Sequence, residues 1–131
     1  MRLLLDTQVW LWMVSAADAF SDDLKALLTD EATDVFLSAA AVWEVGMKVA
    51  AGKLKLTGQP QALVPMYIKR SGVQPLSVTV DHALRAAALP ELHQDLFDRL
   101  MLAQAQLEEL TFVTADPQLA SYDIAMLQAK I

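Results

Sequence analysis

Short, nearly continuous apolar runs recur along the chain, separated by longer segments in which apolar residues repeat at helical spacing. Apolar runs of this length are typical of strands that are buried on both faces of a parallel sheet. We predict strands at residues 3–5, 35–37, 73–76 and 111–114, with an edge strand at 124–127. The chain therefore supplies four to five strands.

Helices are predicted between these strands, where apolar residues return every three or four positions. They cover residues 7–14, 22–28, 39–51, 61–70, 80–89 and 96–110. N-caps are predicted at Ser21, Ser38 and Thr79, and helix ends at Gly52 and Gly72. A further helical turn starts at Asp116-Pro117, and Pro65 is tolerated at low cost if it lies in the first turn of its helix.

The alternation of strands and helices predicts an α/β fold, in which helices cover both sides of a central parallel sheet. A chain of 131 residues is long enough to bury a full core. No internal repeat, linker or low-complexity tract interrupts the pattern, so we expect residues 1–131 to form a single domain.

The amino-acid composition excludes several classes of protein. The chain is 55% hydrophobic and 20% charged, which is typical of a globular protein rather than a disordered one. Its net charge of −6 differs from the basic footprint of a general nucleic-acid binder. It contains no cysteine, which excludes disulfide scaffolds, thiolate zinc sites and cysteine nucleophiles.

The amino terminus superficially resembles a secretory signal, since leucines follow Met1-Arg2. However, Asp6 and Gln8 interrupt the apolar run and no small-residue cleavage site follows a clean apolar core. No apolar run is long enough to span a membrane. We therefore expect a soluble, cytoplasmic protein.

Asp6 is the one carboxylate in the apolar amino-terminal run, and it stands where the first strand gives way to a helix. An unpaired charge at such a buried position costs several kcal/mol, so it needs a specific reason to be there. Glu44, Asp98 and Asp116 occupy comparable positions, near the carboxyl end of a predicted strand or early in a helix. In a parallel sheet these positions share one edge, where ligands bind.

Several carboxylates brought together raise one another's pKa unless a cation lies between them. Mg²⁺ or Mn²⁺ would supply that charge, because these hard cations prefer oxygen ligands. Each residue also has a purely structural interpretation. Asp6 and Asp116 are possible helix caps, Glu44 and Lys48 form a favourable i,i+4 pair, and Asp95 caps the helix that contains Asp98.

At these residues the sequence resembles the PIN-domain ribonucleases, and within them the VapC toxins of toxin–antitoxin pairs. The matching blocks are LLDTQVWLW (4–12), SAAAVWEVGMK (38–48) with GKL (52–54), HQDLFDRL (93–100) with AQA (103–105), and VTAD (113–116) with a later Tyr122. They occur in the family's order across almost the whole chain. Gln8 departs from a frequent histidine and Leu96 from a frequent proline, and neither departure removes a carboxylate.

The resemblance implies a Rossmann-like, three-layer α/β/α PIN domain that cleaves RNA with Mg²⁺ or Mn²⁺. The family's four acids map onto Asp6, Glu44, Asp98 and Asp116, and Asp95 aligns with a further acid whose direct role is less defined. A cognate antitoxin that covers the acidic cleft and a homodimer of the toxin are implied as partners.

Accessory roles are expected for residues beside these acids. We predict that Thr7 and Thr114 hydrogen-bond the carboxylates, and that Lys48 and Arg99 contact substrate phosphates, although capping and solvated salt bridges are their structural alternatives. His82 and His93 are expected to be structural, because hydrolysis by metal-activated water needs no imidazole base.

The main alternative function is a non-enzymatic, acidic α/β module that binds a protein partner. Its groove would be lined by Trp10, Trp12, Trp43 and methionines. Aromatic residues at helical spacing are more typical of a core. Receiver-type phosphoacceptor chemistry requires paired acids after the first strand and a lysine after the last, and haloacid-dehalogenase chemistry requires a second acid at Gln8, so both are disfavoured.

Overall fold

A five-stranded parallel sheet runs through the computed structural model of the protein, which describes residues 1–92 and 95–129. Its strands are β1 (Arg2–Leu5), β2 (Asp34–Ser38), β3 (Gln74–Leu76), β4 (Thr111–Thr114) and β5 (Met126–Gln128). They lie in the order β3-β2-β1-β4-β5, and every neighbouring pair is parallel. The predicted parallel sheet of four to five strands is confirmed.

Within the described residues six α-helices connect the strands: α1 (Thr7–Ser15), α2 (Asp22–Thr29), α3 (Ala39–Ala50), α4 (Pro60–Ser71), α5 (Val80–Ala88) and α6 (Leu96–Leu107). The chain steps from β1 outward to β3 and then returns to the other side of β1. For right-handed crossovers, these opposite directions put the β1–β2 and β2–β3 connections on one face of the sheet and the β3–β4 connection on the other. Helix α5 packs on α6, α1 contacts α3 and α4, and α3 also contacts α6. The result is the expected three-layer α/β/α arrangement.

β1 is the central strand, and its burial determines where the site forms. Leu3 pairs with Val35 on one side and with Thr111 on the other. Leu3, Leu4 and Leu5 are fully buried. The strand order reverses between β1 and β4, which is the topological switch point where open parallel sheets bind ligands, beyond the carboxyl ends of the strands.

The predicted helix starts are confirmed by capping hydrogen bonds. The Ser21 hydroxyl accepts from the Leu24 N–H, and the Ser38 hydroxyl from the Ala40 N–H. Thr79 forms a capping box with His82, in which each side chain accepts the other residue's backbone N–H. His82 is buried and structural, as expected, whereas His93 lies outside the described residues.

Most element boundaries lie within one residue of the prediction, and three differences are larger or change the position of a residue within its helix. Helix α4 begins at Pro60, so Pro65 lies inside the helix rather than in its first turn. Helix α6 ends at Leu107 instead of residue 110, because Glu109 adopts a positive φ of 56° and the Leu110 N–H bonds to the Ala105 carbonyl in a Schellman-type closure. The edge strand β5 covers Met126–Gln128, slightly later than residues 124–127.

The three tryptophans have different surroundings. Trp10 is fully buried and its indole N–H donates to the Ser71 hydroxyl at 3.2 Å. Trp12 is half-buried, whereas Trp43 is 60% exposed and packs edge-to-face on Phe97. The expectation of a core position therefore holds for Trp10 and fails for Trp43. In the part of the chain that the structure describes, none of the helices combines the length and apolar character of a membrane span.

Candidate active site

Asp6 directly follows β1 and stands at the N-cap position of α1, where the backbone leaves the sheet. Among the described residues its side chain makes no capping hydrogen bond to α1. Instead, one carboxylate oxygen of Asp6 accepts a hydrogen bond of 2.7 Å from the Thr114 hydroxyl, which belongs to the adjacent strand β4. Asp6 is therefore oriented by the sheet rather than used as a helix cap.

Thr114 links two of the predicted site acids. Its fully buried hydroxyl donates to Asp6 and accepts the backbone N–H of Asp116 at 3.1 Å. One carboxylate oxygen of Asp116 in turn accepts the Gln118 N–H at 2.9 Å, at the start of the 3-10 turn Pro117–Ser121. The predicted carboxylate contact of Thr114 is confirmed, and so is the helical turn that starts at Asp116.

Glu44 projects from α3 and is 4% exposed. One of its carboxylate oxygens accepts a 2.6 Å hydrogen bond from the buried hydroxyl of Thr7. The other oxygen pairs with the ammonium of Lys48 at 2.6 Å, one helical turn away. The predicted contact of Thr7 with a site carboxylate is confirmed, and both oxygens of Glu44 have partners before any ligand is considered.

The amino terminus of α6 supplies two further acids. Asp95 is the N-cap, and its carboxylate accepts the Asp98 N–H at 3.1 Å. The predicted capping role of Asp95 is confirmed. Asp98 stands in the first turn of α6, where a negative charge interacts favourably with the helix dipole.

These acids share one cavity of about 320 Å³ at the carboxyl edge of the sheet. It is lined by Asp6, Gln8, Trp12, Glu44, Lys48, Asp95, Asp98, Ala115 and Asp116. A larger and mostly apolar cavity of about 520 Å³ lies elsewhere, between α1, α2 and α4. The smaller cavity is the candidate active site, because it gathers the acidic residues singled out by the sequence.

Burial, hydrogen bonds and neighbouring charges shift the pKa values of two side chains in the cavity. Burial raises the pKa of the Asp6 carboxyl above its ordinary value of 3.8. The Thr114 hydrogen bond opposes that rise, while the carboxylates of Glu44 and Asp116 add to it. The hydrogen bond to Glu44 raises the pKa of the Lys48 ammonium, which therefore stays charged. Among the described residues that line the cavity, Lys48 is the one with a positive charge.

These residues fit a hard divalent cation by donor chemistry and by charge. All the acidic groups offer oxygen, and the carboxylates of Glu44 and Asp116 add to the rise that burial causes in the pKa of Asp6. Within the described part of the chain, no three acidic or histidine groups are already clustered as a ready-made cage. Mg²⁺ does not require one, since it is usually bound through one or two carboxylates with water and phosphate completing its shell.

Two findings depart from the residue set predicted from sequence. Arg99 is not among the lining residues, and its guanidinium donates to the backbone carbonyls of Ala86, Leu89 and Pro90. Arg99 thus has a structural role, and its contact with substrate phosphate stays a prediction. Conversely, Gln8 and Trp12 line the cavity although neither was predicted as part of the metal site, and Trp12 was considered only for the groove of an interaction module. Their i,i+4 spacing soon after Asp6 was the available signal.

Comparison with known proteins connects this geometry to a family. Ribonuclease VapC16 of Mycobacterium tuberculosis is 38% identical over 68 residues, which cover 52% of this chain and 46% of that protein. The chain thus spans about half the length of the curated relative that it matches.

Solved structures with a similar fold cover almost the whole chain. The VapBC2 structure from Rickettsia felis, bound to a promoter DNA fragment, gives a TM-score of 0.75 at 17% identity and covers 99% of this chain and 100% of that one. A toxin–antitoxin complex from Klebsiella pneumoniae gives 0.66 at 21% identity, with 95% of each chain covered. At these identities the likeness shows the fold. The family model described as the PIN domain matches residues 3–125, and the chain belongs to the PIN domain family.

Proposed function

We propose that this protein is a Mg²⁺- or Mn²⁺-dependent endoribonuclease that acts as the toxin of a toxin–antitoxin pair. The observation that carries the proposal is the cavity where Asp6, Glu44, Asp98 and Asp116 meet at the switch point of a PIN-domain sheet. The name of the matched relative, a ribonuclease, supports the choice of RNA as substrate.

Asp6 and Asp98 are our first choices for direct metal ligands, with Asp116 and Glu44 completing the shell or orienting water. When bound, the metal lowers the pKa of a water nucleophile and stabilises the charge that develops on the leaving 3′ oxygen. The lining residues that the structure describes are uncharged or acidic apart from Lys48, so attraction of the RNA phosphate depends on the bound cation and on that lysine.

The chain's own hydrogen bonds prepare the ligands for this task. Thr114 holds Asp6 at 2.7 Å and so limits the rotation of its carboxylate. Thr7 and Lys48 hold the two oxygens of Glu44, which limits the rotation of that carboxylate beside the cavity. Hydrogen bonds of this kind, from partners behind the metal ligands, commonly contribute 10- to 100-fold to metal affinity or activity, roughly.

We infer a protein antitoxin as the partner that controls this activity. The structural neighbours are toxin–antitoxin complexes. A cavity whose described residues include five acids and one lysine suits a partner that inserts a basic side chain. A homodimer and a cytoplasmic location remain predictions from the sequence resemblance. A small upstream reading frame that encodes a DNA-binding domain with a helical tail would support the pairing.

The proposal is tested by RNA cleavage with purified protein. We expect cleavage in Mg²⁺ or Mn²⁺, none in excess EDTA, and none by Asp6→Asn. Asp18→Asn is the matched control, because Asp18 is an exposed aspartate outside the acidic cavity and should leave cleavage unchanged. Persistent cleavage in EDTA would refute the metal mechanism, and full activity of Asp6→Asn would remove Asp6 from the site.

Metal binding is tested separately from activity by thermal unfolding with and without Mn²⁺. At a concentration 100 times the dissociation constant, a ligand specific for the folded state stabilises it by about 2.7 kcal/mol. We expect this stabilisation in the wild type and in Asp18→Asn, and its loss in Asp6→Asn. A non-enzymatic interaction module would show neither cleavage nor the Asp6-dependent shift.

A further inference from the structure

Two uncharged side chains, Gln8 and Trp12, line the acidic cavity without taking part in the proposed metal chemistry. They stand four residues apart on α1, the helix that begins immediately after Asp6. Residues at this spacing lie on the same face of a helix. One strip of α1 therefore forms a neutral wall beside the carboxylates.

Trp12 differs from the other tryptophans in being partly packed and partly accessible. It contacts the hydrophobic core and is only half-buried, and it reaches the cavity. Trp10 is fully buried and its indole N–H is already bonded to Ser71. Trp43 is exposed but is not among the residues that line the cavity, and it packs on Phe97. Trp12 thus combines a fixed ring with access to the site.

Gln8 is exposed and presents an amide that can both donate and accept hydrogen bonds. Among the hydrogen bonds of the described residues, none involves the side chain of Gln8 or the indole N–H of Trp12. The polar groups of both side chains are consequently available to a ligand. An aromatic face next to an amide is the combination with which proteins hold unstacked nucleobases.

We propose that Trp12 stacks on a nucleobase next to the scissile phosphate and that Gln8 hydrogen-bonds the edge of the same base. This inference rests on the proposed function. The charge of the site favours it, because the chain has a net charge of −6 and the described residues of the cavity include one lysine, so phosphate contacts contribute little. The neutral base is the part of RNA that such a wall can hold. The substrate segment is then single-stranded, since the held base must leave its own stack.

The experiment presents a pool of single-stranded RNA with randomised sequence to the protein in Mn²⁺ and sequences the cleaved ends. We expect the wild type to show a base preference next to the cut. Trp12→Leu, which keeps apolar volume and removes the ring, should lower kcat/KM by about 5- to 150-fold, the range that corresponds to one stacked base. Trp12→Phe should retain most of the activity, and Gln8→Ala should flatten the base preference.

Trp43→Leu is the matched control, because it removes a tryptophan ring from outside the cavity, and we expect it to cleave like the wild type. Mn²⁺ affinity, measured by calorimetry, should be unchanged in Trp12→Phe and Gln8→Ala, because neither residue is a metal ligand. Equal losses in Trp12→Leu and Trp43→Leu, or equal activities of Trp12→Leu and the wild type, would overturn the inference.

A second measurement uses only the wild-type protein. It tests whether a base is held even if a Trp12 variant fails to fold. Wild-type protein is given a short RNA with the mapped cleavage sequence, intact or with an abasic residue at the preferred position. We expect the abasic RNA to be cut about 5- to 150-fold less efficiently. Equal cleavage of both RNAs would refute base holding while leaving the nuclease proposal intact, whereas absence of cleavage of any RNA would refute the proposed function itself.

Discussion

Replacement of Thr114 by valine tests how the sheet supports the site. The buried Thr114 hydroxyl donates to the Asp6 carboxylate at 2.7 Å and accepts the Asp116 N–H at 3.1 Å. Valine has a similar shape and lacks both capabilities. A hydrogen bond to a charged group contributes about 1.5–3 kcal/mol and an ordinary one about 0.5–1.5 kcal/mol. We therefore expect Thr114→Val to lower the free energy of unfolding by about 2–4 kcal/mol at neutral pH.

The decrease in the free energy of unfolding should depend on pH, because the hydrogen bond from Thr114 to Asp6 favours the ionised carboxylate. The Thr114 hydrogen bond lowers the pKa of Asp6, so it stabilises the ionised carboxylate more than the neutral acid. Burial keeps that pKa above 3.8 in spite of the bond. The cost of Thr114→Val should therefore be largest above the raised pKa of Asp6 and should shrink as the pH falls through it.

Urea unfolding of metal-free protein at several pH values measures this cost, provided that the urea dependence, the m-value, is unchanged by the substitution. Thr111→Val is the matched control, since it makes the same chemical change on β4. Thr111 is half-buried, and its side chain forms none of the hydrogen bonds found among the described residues. We expect that control to change stability by less than about 1 kcal/mol at every pH. A cost of Thr114→Val that is independent of pH, or no larger than that of Thr111→Val, would refute the reasoning.

Asp6→Asn should stabilise the metal-free protein at neutral pH, the opposite of its effect on metal binding. Because the folded-state pKa of Asp6 is raised, the wild type loses stability as the pH rises from 3.8 through that pKa, and asparagine removes this loss. The free energy of unfolding of both metal-free proteins, measured against pH, checks this expectation. Equal pH dependence of the two proteins would contradict it. Asp95→Ala should cost about 1 kcal/mol by removing the N-cap of α6, whereas Asp95→Ser should keep the cap. If Asp95 is only a cap, Asp95→Ser also keeps cleavage, and loss of cleavage with normal stability would instead make Asp95 a ligand.

Much of the fold could be predicted from sequence, because the strongest signals were local. The apolar run before Asp6 could form only a strand buried on both faces, and Ser21, Ser38 and Thr79 had few roles other than N-caps. The end of α6 could not be predicted in this way. It depends on a positive φ at Glu109, and glutamate gives no advance signal of that conformation.

Contacts in the candidate site could be predicted where the spacing of two residues along a helix determines whether they meet. Glu44 and Lys48 are one helical turn apart and meet, as expected. Arg99 follows Asp98 directly and therefore lies on a different face of α6, where backbone carbonyls bind its guanidinium. The position of Trp12 at the cavity could not be predicted. Its side chain contacts both the core and the cavity, and the hydrophobic pattern of the sequence indicates only the contact with the core.

The chemistry of the cleaved ends tests the central claim most directly. Hydrolysis by metal-activated water, with the 3′ oxygen as leaving group, produces a 5′ phosphate and a 3′ hydroxyl. RNA cut by the wild type in Mn²⁺ can be analysed for these groups by ligation and sequencing, with Asp6→Asn and EDTA samples as blanks. We predict 5′ phosphate and 3′ hydroxyl ends that are absent from both blanks. Cyclic 2′,3′-phosphate ends with 5′ hydroxyls would mean that the RNA's own 2′ hydroxyl attacks, and would contradict the mechanism.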